Sequence, residues 1–159
     1  MDTALLSQQA QYSAELFVQM LLDDEGVDLD SGAWSVGWVD DFIEANRESW
    51  HQTLSAEQLE RLRNLCGAFL GESLRERLDG KWIWTNQPAV EMTGTDGAVH
   101  VAFPFTKVAK HFANGEADSI YNFFIGMAVL TGRMSVDEDG VARMTQSEAE
   151  ALGFRRTEE

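Results

Sequence analysis

The sequence predicts an α+β fold in which helices flank a small three-stranded antiparallel meander. Three observations carry that expectation. Apolar residues recur at helical spacing over three long stretches between residues 7 and 78. From Lys81 to Phe103 the period drops to two, around a Gly94-Thr95-Asp96-Gly97 turn. Two further helical patterns follow the last strand.

The first helix is expected from about Ser7 to Leu22, with Ala10, Ala14, Phe17, Val18, Leu21 and Leu22 on its apolar stripe. Asp23-Asp24-Glu25-Gly26 stops it, and Gly26 supplies the positive φ of a C-terminal cap. Three acids at that end oppose the helix macrodipole, so they are expected to be solvated or to serve another purpose. A second helix over Ser35–Trp50 places Trp34, Trp38, Phe42 and Ala45 on one stripe.

The third helix has the clearest start. Ser55-Ala56-Glu57-Gln58 is a capping box, and Leu59, Leu62, Cys66, Phe69, Leu70, Leu74 and Leu78 form the buried stripe. Gly67 and Gly71 sit one turn apart beside it, each costing about 1 kcal/mol relative to Ala, so something must pass close to the backbone there. Asp79-Gly80 ends the helix.

Three strands are expected at Lys81–Thr85, Ala89–Thr93 and Ala98–Phe103, with Trp82 and Trp84 on one face of the first and Val99, Val101 and Phe103 on one face of the last. Pro104 closes the sheet, and Thr106–Phe112 makes a short helix with Val108, Ala109 and Phe112 inward. Asp118 or Ser119 caps a helix carrying Ile120, Phe123, Phe124, Met127 and Ala128. Beyond Gly132 the chain turns polar, with a loop at Asp137–Gly140 and a capping box from Ser147 to Glu150. The organisation is one domain: an acidic helical segment (1–53), a central core (55–130) and a polar C-terminal extension (133–159).

The 159 residues carry 27 acidic and 12 basic side chains, a formal charge of −15. The charge is uneven. Residues 1–53 hold eleven acids against the single base Arg47, residues 54–113 hold seven of each, and residues 114–159 hold nine acids against four bases. A field of that sign repels nucleic-acid phosphates and anionic lipid surfaces and attracts basic partners. The bland alternative is solubility alone.

A lone cysteine, Cys66, excludes an intramolecular disulfide and suits a reducing compartment. The N-terminal residues lack a basic n-region followed by an apolar h-region, and no stretch reaches the roughly 18 apolar residues of a membrane span. A cytoplasmic location is the expectation.

The strings GAFLGESLRERLDGKW and FPFTKVAKHFANGEADSIYNFF, within residues 67–125, resemble a family of uncharacterised small bacterial domains. In that family a Leu-Gly-containing helix runs into a Gly-Trp strand start, and a Pro-Phe-x-Lys-Val segment precedes an acidic Asn-Gly-Glu turn. The resemblance spans about the central two-fifths of the chain and implies an α+β fold and a bacterial origin. It implies no activity. Small acidic domains of this kind sometimes look like immunity or accessory proteins beside toxin genes, an association rather than a mechanism.

No motif carries chemistry. Asp28-Leu29-Asp30 supplies two oxygens at a calcium-loop spacing, but the sixth position from Asp28 is Ala33 and the twelfth is Val39, where such a loop needs Gly and Glu. Asp137–Gly140 fails in the same way. His51 has no acid or cysteine at a helical metal spacing. His100 and His111 could approach each other and with Cys66 make three zinc ligands, but nothing in the sequence fixes that geometry. Cys66 lies on an apolar stripe where a thiol is an inert hydrophobe. No Gly-x-Ser-x-Gly elbow or phosphate-binding loop is present. No cofactor or metal is expected, and the balance leans against catalysis.

Two patches remain. Asp23, Asp24, Glu25, Asp28, Asp30, Asp40, Asp41 and Glu44 are the candidate surface for a basic protein. Lys107, Lys110 and His111 form a local basic cluster suited to an anionic ligand. The tryptophan pairs Trp34/Trp38 and Trp82/Trp84 are expected in the core, with an exposed binding platform as the alternative. The function expected is a non-enzymatic acidic protein-binding domain, immunity-like or accessory. The alternatives are a small-molecule or regulatory domain and an enzyme without a readable motif. A homodimer is compatible with each.

Overall fold

The computed structural model describes residues 1–155. Six α-helices accompany one three-stranded antiparallel sheet of order β1-β2-β3, as the sequence predicts, and a second, two-stranded ribbon lies between the fifth and sixth helices. The helices are α1 (Thr3–Glu25), α2 (Ala33–Thr53), α3 (Ala56–Arg77), α4 (Pro104–Asn114), α5 (Ile120–Leu130) and α6 (Gln146–Leu152). The strands are β1 (Gly80–Trp84), β2 (Pro88–Thr93) and β3 (Val99–Ala102), with the ribbon formed by β4 (Ser135–Val136) and β5 (Ala142–Arg143).

Helix α3 is the hub, touching α1, α2, α4, β1 and β2. Its N-terminus is fixed as expected: Ser55 Oγ accepts from the Gln58 amide at 3.1 Å, and the Gln58 side chain accepts from the Ser55 amide at 2.9 Å. Leu59, Cys66, Phe69, Leu70 and Leu74 are buried along it. The two glycines are explained by aromatic rings rather than by backbone. The Phe105 ring lies where a Gly67 side chain would project, and the Trp82 ring where one on Gly71 would. Without a Cβ at either position, one ring from α4 and one from β1 seat directly on the helix. Burial pushes the Cys66 thiol well above its ordinary range, so it packs as a small hydrophobe.

Glu72 turns the middle of α3 into an anchor for the sheet. Its carboxylate, 6% exposed, accepts from Trp82 Nε1 at 2.9 Å and from Arg75 Nε and Nη2 at 2.7 and 3.0 Å. A buried acid is costly unless its oxygens are satisfied, and here a guanidinium fork and an indole N–H do so. Trp82, Val90, Met92 and Ala102 form the inward face of the sheet. Trp84 shares Trp82's face yet is exposed, so this pair divides between core and surface.

Several helices differ in detail from expectation. Helix α1 is longer at both ends, and Leu22 is exposed rather than packed. On α4, Ala109 faces solvent while His111 is fully buried, because the helix begins at Pro104 and presents 104, 108, 111 and 112 inward. Ser119, not Asp118, caps α5 by accepting from the Asn122 amide. The last capping box starts two residues early, at Thr145 with Glu148. Asp137 shapes the ribbon turn, accepting from the Asp139 and Val141 amides and from Arg143 Nε at 2.7 Å.

Helix α6 folds back onto α2. Gly32, the residue preceding α2, has no side chain to cap it; instead the Gly153 carbonyl accepts from the Trp34 amide at 3.2 Å. The two glycine backbones touch, and Gly153 sits at φ 79°, a conformation suited to glycine. The end of α6 is thereby tied to α2, with Leu152 buried and Phe154 packed against the core. No helix among the described residues is long and apolar enough to cross a membrane.

Candidate functional site

The eight acids of the expected basic-partner surface separate into two groups. Asp23, Asp24 and Glu25 are exposed at the last turn of α1, where no basic residue lies. Gly26, at φ 68°, closes that helix by donating its amide to the Leu22 carbonyl. Asp23 accepts from the Gln19 side chain at 2.9 Å, and Asp28 is exposed in the following loop. Asp41 is exposed on α2. None of these five carboxylates has a cation within ion-pair distance among the described residues.

The other three have partners within the chain: Asp40 is buried and so leaves the surface, whereas Glu44 is half-buried and Asp30 exposed. Asp30 Oδ1 accepts from the Gly32 amide at 2.8 Å and from Ser35 Oγ at 2.9 Å, wrapping the entry to α2. Its Oδ2 lies 3.9 Å from an Arg77 nitrogen and 3.8 Å from one of Arg155. Partial burial pushes the Asp30 carboxyl up, but the two hydrogen bonds and the two guanidiniums outweigh it and hold it below the usual carboxylate range. That set of partners makes the Asp28–Ser31 loop a helix entry.

Asp40 is 8% exposed. Its Oδ1 accepts from Ser119 Oγ at 2.6 Å and from the Tyr121 amide at 3.0 Å, so a single carboxylate on α2 organises the start of α5. Glu44, one turn on, lies 3.3 Å from His111 Nε2 and 3.5 Å from Arg47 Nε. His111 therefore leaves the expected basic cluster: it is fully buried between Asp40 and Glu44, with Nδ1 at 3.6 Å from Asp40 and without a hydrogen-bond partner. Arg47 Nη1 reaches the Phe112 and Ala113 carbonyls at 3.4 Å, a cation at the negative end of α4. Gly115, at φ 74°, has the guanidinium lying against its backbone, which accounts for the glycine in the Asn-Gly-Glu turn.

Lys107 and Lys110 remain on the surface of α4 without His111. Lys107 Nζ is 3.1 Å from Asp118 and 5.7 Å from the centre of the Phe123 ring. Hydrogen bonds from Asn114 and Lys107 hold the Asp118 carboxyl below its ordinary range. Lys110 is exposed. A shallow hollow of about 170 Å³ joins these lysines to Val101, Phe103 and Phe123, so what adjoins them is apolar.

A larger groove, about 430 Å³, runs between α1 and α3. Ala14, Val18 and Phe69 line it, with Glu15, Glu72 and Glu76 against the single cation Arg75. Sequence reasoning passed over Glu72 and Glu15, because a single acid in a helix carries no positional signal until the neighbouring helix is known. Among the described residues no group of three or more His, Cys, Asp or Glu side chains is arranged to hold a metal ion.

Trp34 and Trp38 are half-buried on α2, one turn apart. Trp38 stacks on Phe42 at 5.2 Å between ring centres, and Phe42, Trp50 and Phe112 continue the row at 5.3 and 5.5 Å. The Arg155 guanidinium lies 3.9 Å over the Trp34 ring. Comparison with protein-family models, with curated proteins and with solved structures finds no match to this chain.

Proposed function

We propose that this chain is a non-enzymatic, acidic protein-binding domain whose N-terminal face engages a basic partner. The observation that carries the reading is the division among the acids. Asp30, Asp40 and Glu44 each accept hydrogen bonds or ion pairs from the chain, whereas Asp23, Asp24, Glu25, Asp28 and Asp41 have no cation among the described residues. Three of the five crowd a helix C-terminus, where like charge and the macrodipole both oppose them. Side chains that weaken the element bearing them and pair with no cation among the described residues point to a use outside the protein. A positively charged surface would relieve both penalties and be steered toward them over a screening length of about 10 Å.

The test is affinity capture from the native cell with the wild-type chain and with a variant carrying D23N, D24N, E25Q, D28N and D41N. The wild type is expected to retain a basic protein at about 0.05 M salt and to release it near 0.5 M. The variant is expected to lose it while melting within a degree or two of the wild type. Equal retention by the variant, or retention insensitive to salt, overturns the reading.

A further inference from the structure

Beside α2 lies a cavity of about 410 Å³ whose walls include Trp34, Trp38, Tyr121 and Phe154, with Asp40 and Asp41 among its lining. Those rings converge from three places. Two come from successive turns of α2, one from the start of α5, and one from the residue after Gly153, brought there by the contact with Gly32. The Tyr121 ring rests on Gly37, 3.3 Å from where a side chain there would begin, so the bare helix lets the ring lie close.

The electrostatics of this space favour one kind of occupant. Aromatic faces present negative density, and two carboxylates add to it. Asp40 uses Oδ1 for Ser119 and Tyr121, while Oδ2, the oxygen that keeps contact with solvent, has no hydrogen-bond partner among the described residues. Asp41 has no ion-pair partner among them, and no cationic side chain among them lines the cavity. An uncharged ligand would cover the rings but leave the Asp40 oxygen desolvated and unpaired. An anion would be repelled. Immediately beside the cavity the chain stacks its own guanidinium on Trp34, so that ring already serves as a cation seat. Burial and the neighbouring Asp40 push the Tyr121 phenol up, so it stays a neutral wall.

We propose that this aromatic cavity binds an organic cation, the guanidinium or ammonium end of an arginine or lysine side chain on a partner. The chemistry of the seat stands on the cavity; the identity of its source as a protein side chain rests on the acidic-face reading above. The side chain's aliphatic stem would lie along the rings while its charged end meets Asp40 and Asp41.

The experiment follows the tryptophan indole N–H signals of the full chain in ¹H–¹⁵N spectra, with Trp34 and Trp38 assigned by substitution to Phe. The probes are N-acetyl-arginine methylamide, N-acetyl-lysine methylamide, tetramethylammonium and, as the neutral counterpart, N-acetyl-norleucine methylamide. The amino-acid cations are expected to shift both signals saturably and norleucine to leave them unmoved. Asp41→Asn, an exposed change that leaves the fold intact, is expected to weaken the cations about three- to tenfold. Trp38→Leu is expected to remove the response. Equal shifts from norleucine, or no shift from any cation, overturn the proposal. A response to tetramethylammonium alone overturns the protein side chain as the source and points to a small free amine. Saturable cation shifts in a chain whose captured partner is indifferent to the five acid substitutions would sink the acidic-face reading and leave the cavity standing. Capture sensitive to those acids, with silent indole signals, does the reverse.

Discussion

The end of α1 and the first three turns of α2 draw on the same acidic stretch and treat it in opposite ways. At residues 23–28 four exposed carboxylates have no cation among the described residues; at residues 30–44 three of four are paired within the chain, Asp40 buried, Glu44 half-buried and Asp30 exposed. Asp40 and Asp41 are the sharpest pair, adjacent in the chain, one 8% exposed and accepting two hydrogen bonds, the other open to solvent. Composition counts these residues alike. What separates them is which face of α2 meets α4 and α5, a matter of packing rather than of charge.

Asp40→Ala is the strongest way to press that contrast. It would strand the Ser119 hydroxyl and the Tyr121 amide at the start of α5 beside a buried imidazole, at a cost of about 2–4 kcal/mol in urea unfolding. Asp41→Ala next door should change stability by less than about 0.5 kcal/mol. A similar loss at both positions would erase the distinction.

Asp30 comes second. Replacing it with Ala removes the acceptor for the Gly32 amide and Ser35 and should cost about 1 kcal/mol, the scale of a lost helix cap. It also predicts a pH signature. Because the folded carboxyl is held below its ordinary value, its stabilising contribution is complete above the unfolded value, near 3.8, and disappears as pH falls through the lower folded one. Acidification below about pH 4 should therefore destabilise the wild type more than Asp30→Asn. Identical acid limbs in the two proteins would show that the Asp30 contacts contribute nothing in solution.

The smallest effect is expected at the other end of the contrast, and with the opposite sign. D23N, D24N and E25Q together should raise stability by a few tenths of a kcal/mol at low ionic strength, and the gain should fade with added salt. A loss instead would mean that these acids hold the helix end by more than the Gln19 bond to Asp23.

Much of this architecture is legible in the residues. Ser55 with Gln58, Gly26 after three acids, and the Gly94–Gly97 turn are local signals, each fixed by a few neighbouring atoms, and each marks the boundary it predicts. The close approach to Gly67 and Gly71 was also readable, because a glycine inside a helix is a cost that something must offset; that the visitors are the Phe105 and Trp82 rings was not. The candidate surface was harder to read. Whether His111 belongs with Lys107 and Lys110 or with Asp40 and Glu44 depends on a rotation of α4 of little more than a residue, set by Pro104 at its first turn. The aromatic cavity needed α6 to return to α2, a contact between residues more than a hundred positions apart for which two bare glycines give no local cue.

That return contact has a practical corollary for hydrogen exchange. The Trp34 amide is protected by a carbonyl near the far end of the chain, so its exchange rate reports how often the last helix lifts from the second. One peptide proton thus serves as a latch sensor. Anything seated among the neighbouring rings, Phe154 included, should slow its exchange without touching it.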